Sequence, residues 1–120
     1  MPARVVVVLR ERILARQTAE ALISAGYDAI ALTNSMAALQ TLEAAKNIEL
    51  LITSAHFPGH QPNGLALARM TRQRRPDLNV IFANGPETEP HVRQDGAFIP
   101  TPTTPESIVE AADRLMKAAA

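Results

Sequence analysis

The stretch Ile48-Glu49-Leu50-Leu51-Ile52-Thr53-Ser54-Ala55-His56-Phe57-Pro58-Gly59-His60-Gln61-Pro62-Asn63-Gly64 decides how the rest of the chain is read. Its apolar run, Leu50 to Thr53, reads as a central strand. The run ends on the hydroxyl of Ser54, a Phe57-Pro58-Gly59 turn follows, and Asn63-Gly64 opens a helical stretch. In an open parallel sheet the carboxyl end of a central strand is the usual place for chemistry or ligand binding. Here that place holds a neutral hydroxyl.

Working outward, Arg4 to Leu9 carries Val5-Val6-Val7-Val8, a β-branched run with no polar alternation, which is how a strand covered on both faces looks. Residues 11 to 25 switch to helical spacing, with Ile13, Leu14, Ala21, Leu22 and Ala25 as the expected stripe, and Gly26 as a left-handed stop. Asp28 to Leu32 reads as a short strand. Asn34 or Ser35 can cap the next helix, with Met36, Leu39 and Leu42 facing inward. Strand three is expected over 49–54, and a helix capped by Asn63 runs from Gly64 to about Arg75, where Pro76 stops it. Asn79 to Ala83 is the fourth strand. Pro86 and Pro90 allow only a short or irregular helix over 86–95, and Ala97 to Ile99 is a brief fifth strand. Thr104-Pro105-Glu106 starts the last helix, whose stripe is Ile108, Val109, Ala112, Leu115 and Met116.

Five strands alternating with helices predict an α/β fold. It is a doubly wound, five-stranded parallel sheet in a (βα)5 three-layer sandwich. At 120 residues, 47% apolar and 20% charged, the chain fits one soluble domain over 1–120. Lys+Arg and Asp+Glu both number 12, so no net field draws it to nucleic acid or an anionic membrane. The absence of cysteine excludes disulfides, thiolate metal sites and cysteine nucleophiles. No segment is long and apolar enough to span a membrane, and the start is too short for a signal peptide, so a cytoplasmic protein is expected. Met1 is read as a native start.

Taken in order and at their spacing, several stretches resemble the receiver domain of bacterial two-component response regulators (CheY-like). They are Val5 to Val8 with the first helix up to Ala25-Gly26-Tyr27, Glu49 to Thr53 before Phe57-Pro58-Gly59, and Asn63 to Ala68. Arg74 to Ile81 and Gly96 to Pro102 complete the set. The resemblance implies the flavodoxin-like strand order 2-1-3-4-5. It also implies a phosphoacceptor aspartate ending strand three, an acidic pair after strand one that helps hold Mg2+, a hydroxyl residue after strand four and a lysine after strand five. Those positions fall here on Ser54, on Leu9 and Arg10, on Asn84 and on Thr101. None matches, so no catalytic residue, metal ligand or cofactor is carried over, and no enzyme activity is expected.

Elementary chemistry gives the same reading. Mg2+ wants hard anionic oxygens, whereas Leu9 offers none, Arg10 brings a positive charge and Ser54 has one neutral oxygen. Ser54 has no evident base beside it to make it a nucleophile, so it reads as a small residue satisfying backbone at a strand end. Arg10 reads as a solvent-facing arginine paired with Glu11 or a residue of the second helix. His56, His60 and His91 read as loop histidines, since a metal site would need them to converge. Arg69, Arg72, Arg74 and Arg75 read as cations at a helix end, aromatics being too few for nucleic-acid stacking.

The resemblance further implies a cis peptide before Pro102. It also makes Phe98 the aromatic that moves in signalling receivers, here expected to stay in one position. The expectation is a stand-alone, atypical receiver-like (pseudo-receiver) signalling domain acting through protein contact. The partner would be a histidine kinase or other signalling protein, or a second copy. The candidate face comprises helix four, strand five and the last helix, with Phe98, Glu110, Asp113, Arg114 and Lys117. The alternative is a small anionic ligand held in the same crevice by Arg10, Ser54, Asn84 and Thr101, with Gly59 and Gly85 allowing close approach.

Overall fold

A computed structural model describes residues 4–44, 47–54, 57, 63–83, 97–99 and 103–119. Its elements are β1 (Arg4–Val8), α1 (Arg12–Ser24), β2 (Asp28–Leu32), α2 (Ser35–Ala44), β3 (Ile48–Thr53), α3 (Gly64–Arg72), β4 (Asn79–Ala83), β5 (Ala97–Ile99) and α4 (Pro105–Ala119). The sheet order is β2-β1-β3-β4-β5, and the paired neighbours run parallel. The fold is therefore α/β with a parallel sheet. The expected helix within 86–95 and the cis Thr101-Pro102 bond lie outside the described residues.

The side-chain period of two in β-strands explains the layering. Val6, Val8, Leu51, Val80 and Phe82 face one side of the sheet and pack with Ala38, Leu42, Leu67 and Ala68 of α2 and α3. Val5, Val7, Leu50, Ile52 and Ile81 face the other side and pack with Ala15, Leu22, Ile108 and Ala112 of α1 and α4. The unbroken valine run is apolar throughout because both of its faces are covered.

Local signals set the helix ends. Gly26 takes φ +100, and its N–H donates to the Ile23 carbonyl while that of Tyr27 reaches Leu22, each at 3.0–3.1 Å. This paired closure ends α1 where the sequence placed its stop. Asn34, rather than Ser35, caps α2, its Oδ1 accepting from the N–H of Met36 and Ala37. Asn63 Oδ1 accepts from Ala66 N–H and begins α3 as expected. Thr104 and Ser107 exchange backbone-to-hydroxyl bonds at 3.0 and 3.1 Å, a reciprocal cap for α4.

Three expected details differ. The buried face of α1 is Ala15, Thr18, Ala19 and Leu22, while Ile13 is 67% exposed and Ala25 also faces solvent. The face is rotated because small residues let α1 lie close to β2 and α4. Met36 is also exposed, with Ser35 and Ala38 buried in its stead. Helix α3 ends at Arg72, and a turn carries the chain to Pro76.

Candidate functional site

The carboxyl ends of β1 and β3 lie side by side, with Val8 opposite Thr53. One residue further on, Ser54 is 1% exposed and each of its backbone groups is engaged. Its N–H donates to the Val8 carbonyl at 3.1 Å, and its carbonyl accepts the Thr53 hydroxyl at 2.9 Å. The Ser54 Oγ accepts from the Arg10 N–H at 3.1 Å. The hydroxyl thus ties the loop after β1 to the end of β3, a short side chain satisfying a backbone N–H.

Gly64, at the start of α3, closes this spot from the other side. A Cβ there would overlap the Ser54 carbonyl oxygen and meet Thr53 Cγ2 at 3.1 Å. Only a residue without a side chain lets the α3 backbone come this near the strand end. In the sequence Gly64 looks like an ordinary helix start. The dipeptide Asn63-Gly64 was the available signal, but the need for the glycine comes from a strand ten residues away.

Leu9 is 1% exposed and belongs to the apolar layer under α1 and α4. Arg10 is exposed, and its guanidinium makes no ion pair among the described residues, so the expected pairing with Glu11 or α2 does not form. Arg10 instead lines an open groove with Arg12, Gln17, Thr33, Thr103 and Thr104. The donor set fits Mg2+ poorly. A buried leucine, an arginine and a hydroxyl already engaged by an amide supply no anionic oxygen. No cluster of three His, Cys, Asp or Glu side chains able to hold a metal occurs among the described residues. Asn84, Thr101, His56, His60, His91, Gly59 and Gly85 lie outside them.

At the opposite end of the sheet the arginine cluster is partly structural. Arg72 Nε donates to the Leu78 carbonyl and Arg75 Nη2 to the Leu42 carbonyl, each at 3.1 Å. The second of these satisfies a carbonyl in the last turn of α2, where cations are favoured. Arg69 and Arg74 are exposed.

On α4, Glu110, Arg114 and Lys117 are exposed along one side, and Arg114 Nη2 meets Glu110 Oε1 at 3.1 Å. Asp113 is half-buried and accepts the Tyr27 hydroxyl at 2.6 Å, so its carboxylate is already committed within the chain. Burial pushes the Tyr27 phenol up to about 12, helped by the hydrogen bond to Asp113 and by that carboxylate's charge. For Phe98 only the backbone is described, opposite Phe82 in the β4–β5 pair.

No family model matches the chain, and no curated protein matches it. Solved structures do. NtrX from Brucella abortus, in a complex with ADP, superposes with TM-score 0.85 at 23% identity, covering 98% of this chain and 28% of that one. The chain thus spans little more than a quarter of NtrX. A response regulator receiver protein from Sinorhizobium medicae gives TM-score 0.85 at 21% identity, covering 98% of this chain and 96% of that one. A CheY-like receiver domain protein from Methanospirillum hungatei gives 0.84 at 18%, covering 98% and 96%. Among the described residues no helix is long and apolar enough to cross a membrane. The fold of this chain is similar to that of these solved receiver-domain structures.

Proposed function

We propose that the chain is an atypical (βα)5 receiver-like signalling domain, one unit over 1–120, that works by protein contact and not by aspartyl phosphorylation. The observation that carries this reading is the state of Ser54: its Oγ is buried and holds the Arg10 amide where an acceptor carboxylate would stand. A transferring phosphoryl group needs a metal or cations at its developing charge. Leu9, turned into the core, supplies neither charge nor ligand. The chain is then a non-enzymatic pseudo-receiver of the cytoplasm, docking a histidine kinase or another signalling protein, or pairing with itself. The favoured face is β5 with the exposed side of α4, where Glu110, Arg114 and Lys117 present mixed charge. Nucleic acid and membrane play no part in this reading.

The test is incubation with acetyl phosphate or beryllofluoride in the presence of Mg2+, followed by intact mass and thermal melting. No mass gain and no Mg2+-dependent stabilisation are expected, for the wild type or for Ser54→Asp, because Leu9 still offers no ligand. A stoichiometric, acid-stable or acyl phosphate on the wild type would overturn the reading. The ligand-binding alternative keeps the groove beside Arg10 and Arg12 but has Ser54 already engaged, so nucleotides and phosphate are expected to leave the melting point unchanged.

A further inference from the structure

β2 forms one margin of the sheet, with β1 inside and no strand outside it among the described residues. Proteins usually blunt such margins with lysine, proline, a bulge or a covering segment. The strand Asp28-Ala29-Ile30-Ala31-Leu32 carries only Asp28, and Arg4 lies 3.4 Å from that carboxylate. Ile30 is 48% exposed, on the sheet face that α2 leaves largely open. The Leu32 carbonyl accepts from Leu9 N–H at 3.2 Å and so faces inward. Strand alternation then turns the amide groups of Ile30 inward and those of Ala29 and Ala31 toward the open margin.

We infer that this margin pairs with the same margin of a second copy, antiparallel, about a two-fold axis through Ile30. In that register Ala29 of each copy exchanges both backbone hydrogen bonds with Ala31 of the other. The two Ile30 residues meet in the closer, non-hydrogen-bonded position. Asp28 falls opposite Leu32, so no like charges meet across the strands.

Charge on α1 selects a second copy over an unrelated strand. α1 flanks β2, and Arg12, Ala15 and Arg16 form a groove with Ala31 and Leu32. Exposed Arg16 and Glu20 are joined by a loose 3.9 Å contact, one helical turn apart around the middle of the helix. α1 runs opposite to β2, so the same axis lays it antiparallel beside its copy. Arg16 of each chain then faces Glu20 of the other. Strands about 4.8 Å apart, with one helix over each pair, put the two helices about 10 Å apart, a normal packing distance. Such a surface is self-complementary, as a two-fold interface must be. It lies at the margin opposite β5, so it is separate from the face proposed above.

Sedimentation velocity from micromolar to millimolar protein tests this. The wild type is expected to show a monomer–dimer equilibrium. Ile30→Lys should abolish it, as should Ala31→Pro, which removes an outward N–H and no internal bond. Arg16→Glu and Glu20→Arg should each weaken self-association roughly tenfold. Mixing those two variants should restore a heterodimer, since each supplies the charge the other lacks. A wild type monomeric at every concentration overturns the inference. So does a dimer that survives both Ile30→Lys and Ala31→Pro, or a mixture no tighter than its components. A dimer lost only on changing Arg114 or Lys117 would overturn it in favour of the α4 face.

Discussion

β1 and β2 are neighbouring strands of equal length and similar apolar content, yet their surroundings are opposite. Val5 to Val8 are at most 1% exposed, between helices on one face and helices on the other. β2 has no fully buried residue, and its Ile30 is half in solvent. Apolar character alone therefore says little about how much a strand position matters. Place in the sheet order decides it, because only central strands are covered on both faces and paired along both sides.

The largest effect that would sharpen this contrast sits at the centre. Gly64→Val drives a side chain into the Ser54 backbone and should destabilise by about 3 kcal/mol or more, read by urea unfolding. Next comes a matched pair at centre and margin. Ile52→Ala, fully buried, should cost about 2–5 kcal/mol, whereas Ile30→Ala should stay within about 1 kcal/mol for the monomer. Equal costs for the two would break the contrast. The smallest effect is at Tyr27. Its folded-state pKa is raised, so folded protein holds the phenolic proton over a range where unfolded protein has lost it. The stabilisation is complete below pH 10 and falls as pH rises toward about 12. Tyr27→Phe should remove that decline from a stability-versus-pH profile while leaving the neutral-pH fold intact.

Much of this was legible in the sequence wherever the signal was local. The bounds of β2 and β4 were read residue for residue, the stop at Gly26 needed only a glycine after a periodic run, and Asn63 needed only a capping side chain. Ser54 was also read as a residue satisfying backbone, because the missing charges around it are visible in one dimension. What escaped depends on residues far apart in the chain. Ile13 and Met36 looked like core because they are apolar, but the rotation of α1 and α2 is set by where alanines permit close approach. Asp113 looked like free surface, and only the return of Tyr27 beneath α4 commits it. The roles of Arg72 and Arg75 likewise needed the carbonyls of Leu78 and Leu42 to be brought alongside.

The two apolar layers share β1, β3 and β4, each strand lending alternate side chains to one layer and then the other. Neither layer can therefore melt while its counterpart stays solid. A slip of β4 by a single residue would exchange the contents of both at once, placing Ile81 among the partners of Phe82 and the reverse. The chain is consequently held to one alignment by a double-entry lock, in which every error is registered twice.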